Sequence, residues 1–206
     1  MKPNDFIGLD VRTHAQDWAE AGFRLTSEGT ALSLGRLARY AGNTKVFCSV
    51  AEHSVLMARY IQSLSPEQLP GSKLEVMQEA LAHDAAETIT SDLPWPTIQL
   101  IGAPTLKVSV GHLEGRMRKV LGMKEEPDAR VSAFVHQIDK QIAHNEIRSL
   151  VLFSGFEEAF LDRAFGRSDW SLPGVKISGW SPDVAAERWL EAWTWCSDLL
   201  RVQDLK

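Results

Sequence analysis

Histidine and carboxylate residues fall in this chain at spacings that suit a divalent cation. His83 and Asp84 are adjacent in the string Glu79-Ala80-Leu81-Ala82-His83-Asp84-Ala85-Ala86-Glu87, and Asp92 follows in the turn Thr90-Ser91-Asp92-Leu93-Pro94. Glu87 stands four residues after His83, so on a continuous helix both side chains project from one face. Acids crowded beside alanine and leucine repel one another and are poorly solvated, and a divalent cation relieves both problems. His53 adds a second imidazole, in a segment that is otherwise apolar around Val50 and Leu56. Asp139 shares its helical face with Val135 and Ile142, where a lone carboxylate is expensive to bury unless paired. Read singly, His53 is a satisfied core histidine and Asp139 lies on a solvated strip. Read together, His53, His83, Asp84 and Asp139 form a set of two imidazoles and two carboxylates suited to one Zn²⁺, Mn²⁺, Co²⁺ or Fe²⁺ ion with coordination positions left open. Mg²⁺ is the less suited ion, because imidazoles are poor ligands for it.

Helices must carry these residues. Ser49-Val50-Ala51-Glu52 reads as a capping box that opens a helix to about Ser63, with His53 in its first turn and Glu52 reaching back to the backbone. Leu74 to Ile89 reads as a second helix, ended by Pro94 and Pro96. Apolar residues at helical spacing mark further helices over Thr30 to Tyr40, Val108 to Leu121 and Asp128 to Phe153. Short helices are expected at Ala15 to Ala21 and Phe156 to Phe165. Ser181-Pro182-Asp183 opens a last one to about Leu200. Strand signals are confined to a weak one at Val175-Lys176-Ile177. The expected fold is all-α, a single domain over residues 1–206 with an irregular N-terminal segment, a core at about 30–150 and a C-terminal helix at 182–200.

The order His53, then His83-Asp84, then Asp139 resembles the HD-domain metal-dependent phosphohydrolases. The strings Phe47-Cys48-Ser49-Val50-Ala51-Glu52-His53-Ser54-Val55 and Ala80 to Glu87, continued by Thr90 to Pro94, are similar to the 5′-deoxynucleotidase-like branch, which includes bacterial and phage-encoded members. The resemblance covers about Thr30 to Ser149 and the Trp180-Ser181-Pro182 string. It implies an HD-domain helical bundle holding one divalent ion on the four residues, with Glu87 and Asp92 as acids behind the ligands. The chemistry of hydrolysis requires these two to handle protons, Asp92 being the better placed donor because it lies outside the metal helix. It also implies Arg39 as the contact to the substrate phosphate and Tyr40 as a sugar or base contact. The family's Arg-Trp pair is here Arg39-Tyr40, fourteen residues before His53, and its Pro-x-Lys is here Pro96-Thr97-Ile98. The implied activity is removal of the 5′-phosphate from deoxynucleoside monophosphates. Alternatives are a triphosphohydrolase that releases tripolyphosphate from deoxynucleoside triphosphates, and a non-catalytic module that binds a nucleotide or a partner. Relatives are often homo-oligomers, which is the state expected here.

Composition narrows the classes. The chain has 206 residues, 44% hydrophobic and 24% charged, with 22 Lys+Arg against 27 Asp+Glu for a net charge of −5, and no basic run suited to nucleic acid or a membrane surface. No apolar run approaches the roughly 20 residues needed to cross a bilayer, and no signal-peptide core can be drawn at the N-terminus. Two cysteines without metal-ligand spacing fit a reducing cytoplasm. The expected partner is therefore a small nucleotide, with neither nucleic acid nor membrane. Other residues read as structural or stay open. His136 either bonds to Asp139 or lies on a solvated face. Glu146 either braces a metal ligand or pairs with Lys140 or Arg148. Cys48 and the Trp189, Trp193, Trp195 cluster read as packing.

Overall fold

The computed structural model describes residues 26–94, 103–151 and 175–204. The helices expected at Ala15 to Ala21 and Phe156 to Phe165 lie outside them. The described chain is all-α: α1 (Ser27–Arg36), α2 (Val50–Ser63), α3 (Lys73–Ala82), α4 (Glu87–Thr90), α5 (Ala103–Val120), α6 (Ala129–Leu150) and α7 (Pro182–Asp204). Short 3₁₀ turns at Arg39–Gly42 and Pro66–Gln68 complete it. Val175 to Ile177 forms no regular structure.

α1, α2, α3 and α6 start where side-chain oxygens satisfy their first amides. Thr26 accepts from Gly29 N at 3.1 Å, Ser49 from Glu52 N at 3.0 Å, and Asp128 from Arg130 N and Val131 N at 2.8 and 3.3 Å. Ser72 and Glu75 form a full capping box on α3. The box expected at α2 is only half made. Glu52 turns away from its own backbone and accepts from Ser178 N at 2.6 Å and Trp180 N at 3.0 Å, tying the segment before α7 to the start of α2. A buried carboxylate with two long-range amides gains more than one bonded locally.

α1 begins before Thr30 and stops at Arg36, short of the expected Tyr40. Beyond it the chain pairs across a loop: Arg39 N donates to Cys48 O at 2.9 Å and Val50 N to Leu37 O at 3.1 Å. The single helix expected over Leu74 to Ile89 is broken. α3 ends at Ala82, and amide bonds from Ala85 to Ala82, Glu87 to Asp84 and Thr88 to Ala85 tighten the chain to 3₁₀ spacing. This winding moves Glu87 off the position that a straight helix would give it relative to His83.

The core is shared. α7 packs on α1, α2 and α3, while α6 packs on α3 and α2. Trp189 is fully buried, stacks on Trp193 at 5.4 Å between ring centroids and donates its Nε1–H to Leu81 O at 2.9 Å. Trp195, by contrast, is exposed, so packing accounts for two of the three C-terminal tryptophans. Cys48 and Cys196 are buried free thiols, and burial raises the pKa of each. A buried pair of Arg118 and Glu79, with Nη1–O distances of 2.8 and 2.6 Å, joins α5 to α3.

Candidate metal centre

Three helices bring His53, His83 and Asp139 together, with one ligand atom of each lying within 4.8 Å of the others. His53 comes from the first turn of α2, His83 from the residue that caps α3, and Asp139 from the middle of α6. The His53 and His83 ring centroids are 5.6 Å apart.

The hydrogen bonds at the back of each ring decide which nitrogen faces the centre. His53 Nδ1 lies 2.8 Å from Glu146 Oε1, a carboxylate that can only accept, so Nδ1 carries a proton. Nε2 then points at Asp139 Oδ1, 3.1 Å away. His83 Nδ1 donates to Ala80 O at 2.8 Å, a backbone carbonyl that likewise forces the proton onto Nδ1. Its Nε2 is buried, has no hydrogen bond, and lies 2.9 Å from Asp84 Oδ2 and 4.0 Å from Asp139 Oδ1. Two nitrogen lone pairs facing two carboxylates is an unfavourable arrangement unless a cation or extra protons occupy the space between. Rings braced from behind by a carboxylate and a carbonyl are also the usual support of metal-binding histidines. The residues fit a divalent cation. Asp84, the fourth expected ligand, stands beside the triad with Oδ2 2.9 Å from His83 Nε2, but it lies outside the group of three whose ligand atoms converge.

Electrostatics agree with this geometry. Burial and Arg39 oppose protonation of His53, yet Glu146 and Asp139 outweigh them and its pKa rises to about 9. Burial also opposes a charged His83, and Asp84 and Asp139 reverse that, so its pKa rises too. Burial works against ionised Asp139, but His53 and His83 hold it well below the usual carboxylate range. The centre therefore attracts positive charge in whatever form is available.

Arg39 and Tyr40 sit behind the ligands. Arg39 is buried, with Nε 3.2 Å from Glu146 Oε2 and Nη1 3.5 Å from Asp84 Oδ2. Tyr40 Oη donates to the same Glu146 oxygen at 2.8 Å, and Tyr40 N donates to Asp92 Oδ2 at 2.9 Å. Glu146 thus receives His53, Arg39 and Tyr40, and is the bracing residue of the two readings that the sequence left open. Its helix position, seven residues after Asp139 and so on nearly the same face, is the signal that connects it to the site. His136 is mostly exposed and its Nδ1 is 4.0 Å from Asp139 Oδ2, too far for a hydrogen bond. Glu87 keeps a buried Oε2 with no hydrogen bond, and burial together with Asp84 and Asp92 pushes its pKa well up. Asp92 is raised as well, mainly by burial, with Arg39 and the Tyr40 amide acting against that.

Fold and site together define an all-α protein with a candidate metal centre built on two histidines and aspartate. No helix of the described residues is long and apolar enough to cross a membrane. No family model matches the chain. It is similar to the "Uncharacterized protein YfdR" of Escherichia coli (strain K12), at 31% identity over 93 residues, a stretch that covers 45% of each chain. The chain thus aligns with less than half the length of that relative.

Proposed function

We propose that the chain is a divalent-metal-dependent phosphohydrolase of nucleotides, of the HD-domain type, which removes the 5′-phosphate of deoxynucleoside monophosphates. The observation that carries the reading is the orientation of the two imidazoles. Each is fixed through Nδ1, with His53 turning Nε2 toward Asp139 and His83 turning Nε2 toward Asp84.

A divalent cation held by His53, His83, Asp139 and Asp84 would draw charge from a phosphoryl group and lower the pKa of water from about 15.7 toward about 7. Arg39, held between Asp84 and Glu146, adds a fixed positive charge to the centre. Hydrolysis forms one bond from phosphorus to the oxygen of water and breaks the bond to the 5′ oxygen, which must then gain a proton. One oxygen of Asp92 is committed to the Tyr40 amide, whereas Oε2 of Glu87 has no partner. This favours Glu87 over Asp92 as the donor to the departing 5′ oxygen and leaves Asp92 to accept the proton of the attacking water. A cytoplasmic location and a homo-oligomeric state belong to the same proposal.

The test is phosphate release with added Mn²⁺ or Co²⁺ across nucleoside mono-, di- and triphosphates, with Asp84→Ala as the control. Orthophosphate from deoxynucleoside monophosphates, lost in the control, supports the reading. Tripolyphosphate from triphosphates moves the assignment to a triphosphohydrolase. Metal binding without turnover of any nucleotide moves it to a binding module.

A further inference from the structure

Three consecutive residues beside the centre have left-handed backbones: Tyr40 (φ 58°, ψ 30°), Ala41 (φ 52°, ψ 32°) and Gly42 (φ 74°). Glycine adopts this conformation freely, whereas tyrosine and alanine, which carry a Cβ, adopt it only under strain. Across the site Ser91, directly before Asp92, has φ 62° and ψ 165°, a region nearly reserved for glycine. These two strained points are joined by one hydrogen bond, from Tyr40 N to Asp92 Oδ2 at 2.9 Å. The other end of Tyr40 is engaged too, since its phenol donates to Glu146 Oε2 at 2.8 Å and Glu146 Oε1 accepts from His53. The loop around Tyr40 is anchored independently. Asn43 Nδ2 donates to Tyr40 O at 3.1 Å, Lys45 N to Leu150 O at 2.8 Å and Lys45 Nζ to Ser149 O at 3.0 Å. A right-handed Tyr40 would redirect its amide and give up the Asp92 bond.

We propose that Tyr40 is a positioning residue that ties the two halves of the site together, its phenol holding Glu146 behind His53 and its left-handed backbone presenting an amide to Asp92. This replaces the sugar or base contact implied by the family resemblance, because both polar ends of Tyr40 are used within the protein. The inference rests on the metal reading. Its consequences reach metal affinity as well as turnover, because Glu146 sets the tautomer and angle of a ligand ring.

The experiment measures Co²⁺ affinity by calorimetry, and the visible absorption of bound Co²⁺, for the wild-type chain, Tyr40→Phe, Glu146→Gln and the double variant. Phenylalanine keeps the ring and removes only the hydroxyl. Tyr40→Phe is expected to weaken Co²⁺ by about tenfold and shift its absorption, and to add less than about twofold in the Glu146→Gln background. Unchanged affinity in Tyr40→Phe, or losses that multiply fully in the double variant, overturns the inference while leaving the metal reading intact. A wild-type chain that binds no Co²⁺ overturns both. The Asp92 arm is read separately, and carries the test alone should Tyr40→Phe fail to fold. Asp92→Asn and Asp92→Ala lose the same charge, but only asparagine keeps an acceptor for the Tyr40 amide. Asp92→Ala is expected to bind Co²⁺ at least about threefold more weakly than Asp92→Asn, and equal affinities overturn this arm.

Discussion

His53 and Glu146 are joined by a 2.8 Å contact between Nδ1 and Oε1, buried at the junction of α2 and α6. Glu146 also holds the buried guanidinium of Arg39. Removing this carboxylate leaves a buried cation without its nearest counter-charge, and such losses cost about 3–5 kcal/mol. Glu146→Ala is therefore expected to lower unfolding free energy by about that amount in urea titrations without added metal. A loss below about 1 kcal/mol would mean that the pairing is energetically idle.

Metal affinity should depend on pH with a definite sign. In the metal-free chain the pKa of His53 stands at about 9, so below that pH its ring carries a proton on Nε2 as well as on Nδ1. A cation must displace that proton to be bound by Nε2. Apparent Co²⁺ affinity is expected to rise from pH 6.5 to pH 9, by up to about tenfold per pH unit for each proton released, since the pKa of His83 is raised as well, and then to level off. Calorimetry in buffers of different ionisation enthalpy counts the protons directly. An affinity that is flat over this interval contradicts the assignment of His53 as a ligand.

The buried Glu79–Arg118 pair offers a test of how α5 is held against α3, away from the metal ligands. Arg118 also donates Nε–H to Lys124 O at 2.8 Å, so the guanidinium is well satisfied. Glu79→Ala strands that charge and is expected to destabilise the fold by about 3–5 kcal/mol. The double change Glu79→Met with Arg118→Met restores most of the loss, because a packed apolar pair avoids the desolvation cost. Thermal melts of the variants distinguish this from additive damage, in which the double variant is worse than either single one.

Much of this architecture was legible in the chain, and the misreadings have physical causes. The span of α2 follows from Ser49 and from apolar residues at helical spacing, and both are local signals. His53 and Asp139 could be named as candidates because a lone polar residue on an apolar face is conspicuous, and His83 and Asp84 because they stand among crowded acids. The break after Ala82 could not be seen, because alanine runs favour helix and nothing in Ala82 to Ala86 announces 3₁₀ winding. Glu52 misled for a related reason: its spacing from Ser49 satisfies a capping box, and only the chain's return at Ser178 and Trp180 offers it better donors. The hold of Tyr40 on Glu146 spans 106 residues of sequence, and no local pattern around Tyr40 announces it.

Gly29 and Gly35, both on α1, should respond oppositely to alanine. In an open helix alanine is favoured over glycine by about 1 kcal/mol, since it loses less backbone entropy on folding. A Cβ on Gly29 would meet nothing closer than Thr26 Oγ1 at 3.6 Å, an ordinary contact. Gly29→Ala is therefore expected to stabilise the protein by about 0.5–1 kcal/mol. At Gly35 the added carbon would lie 2.5 Å from Pro182 O and 3.0 Å from Ala186 Cβ and N, all on α7. Two of those atoms are backbone, so α1 and α7 must move apart, and overpacking of this kind costs about 1–3 kcal/mol. That exceeds the helix-propensity gain, and Gly35→Ala is expected to lower Tm by several degrees, at about 2–4 °C per kcal/mol for a chain of this size. Melting curves that rise for both variants would show that α1 and α7 are not in the close contact on which the core depends.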